Sequence, residues 1–460
     1  MKRTLALGGI AAGLLASAAI AAPAHADSVP AVNLANTNLA AQQVAAFWYG
    51  QAKANLINAT PYAVETTVPT KHVSTGGVSA DDKAGVVGSS GDQKAATGTL
   101  KNINLPKTTG KVFFIGADHK PHWCSATSVQ GQYKNLVATA GHCVYDTKSN
   151  ATTLDKWVFI PGYYEGKTPW GIYVGKTAYT HYDYSVYEDG DRDFAFVTVY
   201  NGVLPTEGGT HGRFVSKTFA TKKEAWEYKA KLQADKTTGW SKLDIEPVFE
   251  DGKPGKPGKP GDHNGGWNGG RGDHGDHKGD KPSVAPTEQA LQVPEGIKVP
   301  EGKRFVGWRV VGFKLSIGLK DVGTLGSNVG GQGLAYNQKI GTGIFVFGYP
   351  SGSHPDGNYA FSGKTLKWAY GKTFKAAAPS MKAEELVGIK SSFTGEGAIG
   401  SSWLYRYSNT KRLGYLNGVT IAVSDTDGNN RIDTSVSPYF DGETLAVYKQ
   451  AAANWSGKIV

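Results

Sequence analysis

The chain has little cysteine, little charge and, beyond its start, no long apolar run. Two cysteines in 460 residues exclude a disulfide-dense miniature scaffold and a four-cysteine zinc site. Charged residues make up only 19%, a composition that argues against wholesale disorder. No later stretch reaches the roughly 20 apolar residues that a membrane-spanning helix needs. The net charge is +10, yet lysine and arginine form no dense cluster, so no nucleic-acid partner is expected. What is abundant is glycine, at 61 residues, beside 22 tyrosines and 11 tryptophans. That mixture favours β-strands joined by turns, bulges and linkers over a helical body. With 40% hydrophobic residues a sizeable core can be buried. The length suggests two to four units at roughly 100–200 residues each.

The start is an address. Met1-Lys2-Arg3 is basic, an Ala/Leu/Gly/Ile run extends from Leu5 to Ala22, and Ala24-His25-Ala26 is a small-x-small cleavage site. Residues 1–26 read as a secretory signal peptide. The expected location is therefore extracellular, with no membrane attachment after cleavage, in a setting where two cysteines can pair.

Four zones follow. Residues 27–108 are Ala/Thr/Val/Gly-rich, with one helix-like patch at Leu39–Leu56, and read as a pro-segment or a loosely ordered N-terminal arm. Residues 109–200 carry strand-like runs at 111–115, 135–139, 156–160 and 194–199, separated by Gly, Pro, Asn and Asp. Residues 201–303 interrupt the pattern as an insertion, with a charged helix possible at Lys217–Lys231 and a Gly/Pro/Lys/His-rich linker at 250–282. Residues 304–450 return to short strands, at 307–315, 344–350 and 418–423. Each β-rich block is the size of a six-stranded barrel.

The chemistry begins at the cysteines. Cys124 is followed by Leu136-Val-Ala-Thr-Ala-Gly-His-Cys143, an apolar strand ending on a histidine beside a cysteine. A Cys124–Cys143 disulfide would close a loop worth roughly 3 kcal/mol by chain entropy. It would also pin the turn that carries His142, and a general base needs such positioning.

This Thr-Ala-Gly-His-Cys segment and its upstream cysteine resemble the histidine loop of the chymotrypsin/trypsin-like secreted serine peptidases, in particular the bacterial glutamyl-endopeptidase-like branch. The resemblance covers 110–200 and 304–450. It implies an all-β fold of two antiparallel six-stranded β-barrels, here with a long disordered insertion, and no cofactor or metal. It makes His142 the base and Asp193, in Asp191-Arg192-Asp193-Phe-Ala-Phe-Val, the carboxylate that holds the imidazole tautomer.

The nucleophile loop departs from the family. Aligned on Trp403-Leu404, the pattern Gly-x-Ser-Gly-Gly-Pro-Trp falls on Gly397-Ala398-Ile399-Gly400-Ser401-Ser402-Trp403. Ile399 stands at the nucleophile position, and isoleucine cannot form an acyl-enzyme. The oxyanion-hole donors implied by the family are the backbone N–H groups of Gly397 and Ile399. Ser401 or Ser402 would have to act as a displaced nucleophile, at several ångströms from where the donors expect it. No cysteine follows Cys143, so the loop also lacks the disulfide that often braces it in this branch.

Two weaker signals remain. Asp425–Asp433 alternates acidic and amide side chains, but lacks the glycine and glutamate placement of a calcium loop and reads as a polar hairpin turn. His263, His274 and His277 lie in a Gly/Asp-rich tract that reads as solvated linker rather than a metal site. The expected function is a secreted trypsin-like peptidase homologue, catalytically impaired and acting on a peptide or protein ligand by binding. The alternatives are an active endopeptidase using Ser401 or Ser402 with His142 and Asp193, and a cell-wall-associated protein whose cationic surface binds acidic wall polymer.

Overall fold

The computed structural model describes residues 29–62, 83–91, 103–147, 155–234, 242–251, 293–294, 296–354, 356–391, 393 and 396–460. The expected signal peptide, most of the 250–282 linker and its three histidines lie outside the described residues.

The stretch read as an arm contributes to both barrels. Strand β1 (Ala31–Asn33) leads to helix α1 (Asn38–Ile57), whose first turn is capped by Thr37, its side chain accepting from the Ala40 N–H. Two short strands follow, β2 (Thr60–Pro61) and β3 (Gly85–Val87).

The first barrel is built from β4 (Thr109–Ile115), β5 (Pro121–Val129), β6 (Leu136–Ala140), β7 (Asp155–Pro161), β8 (Tyr173–Thr180) and β9 (Phe194–Val199), with a short helix α2 (Tyr182–Tyr187) before β9. The order β7-β4-β5-β6-β9 closes through β9–β8 and β8–β7, all antiparallel, so no strand edge is left open. The two-residue period explains why these strands are apolar on both faces. Val112, Phe114, Cys124 and Phe159 point into one core, while Phe113, Trp123, Val158 and Ile160 point into another that includes Trp48 of α1. Helix α1 is thus the lid on an outer barrel face. Trp48 Nε1 donates to the Lys156 carbonyl at 2.6 Å, and Tyr49 Oη donates to the Val203 carbonyl at 2.7 Å. β1 extends the barrel wall beside β8, and β2 lies parallel on β5.

The insertion is not wholly disordered. β10 (Gly202–Phe219), helix α3 (Lys222–Ala234), β11 (Lys242–Asp251) and β12 (Lys303–Gly323) form an antiparallel sheet of order β10-β12-β11 with the helix packed on it. The helix starts five residues later than the charge pattern suggested because Thr221 and Glu224 form a reciprocal cap, with Glu224 N donating to Thr221 Oγ1 and Thr221 N to Glu224 Oε2. Residues 304–323, expected to open the second barrel, belong to this module instead. The reason is packing: Phe305, Trp308 and Val310 are buried with Ala225 of α3 and Leu243 of β11.

After a one-turn helix α4 (Leu325–Val329) come β13 (Gly333–Tyr336), β14 (Gly343–Gly348), β15 (Lys367–Ala378), β16 (Ala383–Lys390), β17 (Ser402–Ser408), β18 (Leu413–Val419), β19 (Ala422–Ser424), β20 (Thr434–Pro438) and helix α5 (Gly442–Ala452). The order β18-β17-β14-β15-β16-β20 closes because β19, which continues β18 past a kink at Thr420–Ile421, pairs with β20. The 413–424 segment therefore serves as one barrel strand, and the second barrel is also six-stranded. β13 and β3 extend it at one margin. The acidic run 425–433 is a hairpin turn: Asp425 accepts from the N–H groups of Gly428 and Asn430, and Asp433 accepts from Lys390 Nζ at 2.7 Å. The described residues form an all-β fold of two antiparallel barrels. Helix α5, capped by Asp441, closes back on the first barrel, with Tyr448 against Phe196 at 5.6 Å between ring centres.

Candidate functional site

The base is held from three sides. His142 sits in a single helical turn, Gly141–Cys143, at the end of β6, and the Cys143–Cys124 disulfide ties that turn to β5. Asp193 follows the 190–192 turn and precedes β9, the strand paired with β6. One carboxylate oxygen accepts from the His142 backbone N–H at 2.9 Å, and the other accepts from His142 Nδ1 at 2.7 Å. Backbone and ring are thereby fixed by one side chain, which leaves Nε2 as the free nitrogen of the tautomer. Gly141 is required here: a Cβ would stand 2.8 Å from Asp193 Oδ1 and from the Tyr184 ring. Trp157 Nε1 completes the frame by donating to the Cys143 carbonyl at 3.0 Å.

The turn before Asp193 is anchored to the second barrel. Asp191 accepts from the N–H groups of Glu384 and Glu385 at 2.8 and 2.7 Å, and burial pushes its carboxyl up to about 6. Arg192 pairs with Glu443 at 2.5 Å, with Asp441 at 3.7 Å and with Glu385 at 3.9 Å. This network places the carboxylate side of the site relative to β16 and α5.

The segment expected to carry the nucleophile is described from Glu396 onward and is filled by hydrocarbon. Ile399 is completely buried within the hydrophobic core that also holds Cys124 and Cys143. Its carbonyl accepts from the Ser125 N–H at 2.8 Å. Gly400 takes φ +79°, and a Cβ there would lie 1.9 Å from the Ser125 carbonyl oxygen, so only glycine fits. Gly397 is packed against the Trp123 ring, its carbonyl accepts from Ser125 Oγ at 2.9 Å, and its N–H donates to Ser351 Oγ at 2.9 Å. One of the two oxyanion donors expected from sequence is thus already engaged by a hydroxyl of the chain itself.

Neither alternative serine reaches the base. Ser401 Oγ is buried without a hydrogen-bond partner among the described residues, facing the Gly348 backbone, where a Cβ would come within 1.8 Å of it. Ser402 Oγ lies 3.3 Å from Thr109 Oγ1 and 3.4 Å from the Phe347 carbonyl. His142 Nε2 is buried and, among the described residues, has no hydrogen-bond partner.

What covers the base comes from the arm. Tyr62 N donates to the Trp123 carbonyl at 2.9 Å, continuing the β2–β5 pairing. Its ring lies 6.2 Å from the His142 ring and 5.2 Å from Phe114, and His142 is left only 9% exposed. Beneath, Lys111 is buried in an aromatic box: its Nζ sits 3.2 Å from the Trp123 ring centre and 4.6 Å from that of Tyr163, and donates to the Gly363 carbonyl. Burial holds its amine well below the usual lysine range, and the box fixes the indole that packs on Gly397.

The structure therefore brings together His142, Asp193, the disulfide and the Gly397–Ser402 loop. Sequence reasoning missed Ser351, Tyr62, Trp123 and Lys111, which come from segments with no motif of their own. Among the described residues no group of three or more His, Cys, Asp or Glu is placed to hold a metal ion, and no helix is long and apolar enough to cross a membrane.

No family model and no curated protein matches the chain. It is similar in structure to the protease Anisep from Arthrobacter nicotinovorans, at 18% identity and a TM-score of 0.43, covering 76% of this chain and 99% of that one. It is also similar to the thermostable serine protease AL20 from an extremophilic microorganism, at 16% identity and a TM-score of 0.43, covering 76% and 98%. A Glu endopeptidase in complex with MPD matches at 14% identity and a TM-score of 0.38, covering 78% and 98%.

Proposed function

We propose that this chain is a secreted, catalytically silent member of the trypsin-like fold that binds extended peptide rather than cutting it. The observation that carries the proposal is the environment of His142 Nε2. The base and its carboxylate are in place, but the nitrogen that would accept a proton meets no hydroxyl, and the loop opposite presents buried isoleucine. In subtilisin, removing the nucleophilic serine lowers kcat by about 2 × 10⁶. The capped Gly397 N–H weighs in the same direction, because an oxyanion hole needs its donors free.

Binding is supported by what the cleft already holds. Residues 60–62 lie on β5 as an extended segment, backbone to backbone, with the aromatic ring of Tyr62 set toward the base. Strand addition of this kind gives affinity through main-chain hydrogen bonds and selectivity through side-chain seats. A location outside the cell is supported by the Cys124–Cys143 disulfide.

The test uses the secreted protein with a fluorophosphonate probe, casein and a labelled peptide spanning Ala59–Tyr62. The expected result is no covalent labelling, no casein cleavage and saturable peptide binding that is tighter in Tyr62→Ala, where the arm competes less well for β5; no saturable binding in either protein would overturn the binding reading. Labelling that disappears in Ser401→Ala or Ser402→Ala would overturn the silent reading in favour of the displaced-serine enzyme.

A further inference from the structure

A second concave site lies away from the His142 cleft, where the approach to β4, the helix α4 and the β17–β18 turn meet. A cavity of about 360 Å³ is lined by Lys107, Asn328, Val329, Lys411, Arg412 and Leu413. Three of these six residues are cations and none is acidic. Among the described residues, Lys107, Lys411 and Arg412 make no ion pair with a carboxylate; Lys107 has only the face of Trp170, at 5.2 Å.

The walls of the cavity are rigid. Gln332, fully buried, donates from Nε2 to Thr108 Oγ1 at 2.7 Å and accepts at Oε1 from the Gly414 N–H at 2.6 Å. It therefore ties the residue after Lys107 to the turn that carries Lys411 and Arg412. The Thr108 carbonyl accepts from Ser128 N, and Arg412 N donates to the Ser408 carbonyl, so both backbones that present the cations are hydrogen-bonded in place. Asn328 is fixed as well, its amide donating to Tyr173 Oη and to the Val322 carbonyl. Cations held close together on fixed backbone repel one another, and an anion between them removes that cost.

We infer that this cavity is an anion site whose ligand is a phosphate group carried on a small polar substituent. Three positive charges match a phosphate monoester or two linked phosphodiesters better than a single carboxylate, and the arginine fork is suited to paired phosphate oxygens. The volume exceeds that of a bare phosphate and falls at the small end of ligand pockets, leaving room for a glycerol- or sugar-sized group. The inference does not depend on the peptide-binding reading of the cleft.

Three probes decide it at constant ionic strength set with chloride: inorganic phosphate, glycerol 3-phosphate and a synthetic poly(glycerol phosphate) oligomer, titrated by calorimetry into the whole protein. The expected result is saturable binding of at least one probe, weakened at least tenfold in Lys107→Gln/Arg412→Gln and in Lys411→Gln. The control Lys222→Gln/Lys223→Gln removes exposed charge from α3 and should leave binding unchanged. Circular dichroism and the thermal midpoint confirm that each variant is folded. Binding of the monomeric phosphates places a free phosphate compound in the site, and binding of the oligomer alone places a polymer phosphodiester there. No saturable binding, or an equal loss in the α3 control, overturns the proposal.

Discussion

The two halves of the cleft have aged differently. On the first barrel, His142, Asp193, Gly141 and the disulfide make every contact that a working base requires, down to the backbone N–H that shares the carboxylate. On the second barrel, Ile399, at the position where the resemblance expects a nucleophile, is part of the hydrophobic core, and the Gly397 N–H is taken by Ser351 Oγ. The base half is also structural: its hydrogen bonds join β6 to β9 and its disulfide joins β5 to β6, so losing them would cost stability whether or not a bond is ever cut. The Ile399 side chain makes no such link between strands, and its contribution is hydrocarbon packing.

That comparison predicts its largest effect at Ile399. Ile399→Ser should destabilise the protein by about 3–5 kcal/mol, since it empties a packed core site and buries a hydroxyl, and urea melts would show it. The variant should still resist a fluorophosphonate, because the Gly397 N–H remains capped; labelling is expected only when Ser351→Gly is added. A cost below about 1 kcal/mol, in the range of a surface change, would mean that the isoleucine is not a core residue and that the contrast between the halves is false.

The disulfide comes next. Cys124→Ser/Cys143→Ser should lower stability by about 3 kcal/mol, from the loop-closure entropy returned to the unfolded chain. If the thermal midpoint hardly moves, the base half is not the structural half.

The seam between the barrels should respond to pH. Because the folded protein raises the Asp191 carboxyl to about 6 from 3.8, it holds that proton more tightly than the unfolded chain does. The stabilisation from this group is full below the unfolded value and is lost as pH rises through the folded one. Asp191→Asn should flatten the difference by about 3 kcal/mol across that window, as read from paired denaturation curves.

The smallest effect belongs to the arm. Tyr62→Ala should cost about 1 kcal/mol or less and should speed modification of His142 by diethyl pyrocarbonate. An unchanged modification rate would show that the ring does not shield the base.

Much of this was legible because it is local. Ala-Thr-Ala-Gly-His-Cys puts a strand, a turn, a base and a tether into consecutive residues, and Asp193 opens an apolar strand whose pattern is plain. Ile399 was equally visible, since one substitution within a glycine-framed loop needs no partner to be noticed. Ser351 and Tyr62 were not visible: each acts on a residue far away in sequence, and serine and tyrosine in turns carry no signature of what they will touch. The 307–315 run, expected in the second barrel, lies in the inserted module for a related reason. Alternating Phe, Trp and Val describe a strand with one buried face but do not say against what. The glycine and lysine of the nearby linker made its whole neighbourhood look loose, although β10, β11 and α3 supply a core.

That module meets the barrels through a narrow neck. The chain leaves at Gly202 and returns at Gly323, and these two residues are cross-strand partners, as are Pro205 and Leu319. Among the described residues beyond that neck, Ala225, Leu243, Phe305, Trp308 and Val310 form a core of their own. A tight turn joining the strands just past Pro205 and Leu319 would leave every pairing within the two barrels intact, and any foreign unit whose ends lie one strand spacing apart, about 5 Å, would fit the same socket. The cleft and the module can therefore be exchanged, lost or elaborated independently, and whatever the module meets, it can be changed without asking the cleft to change with it.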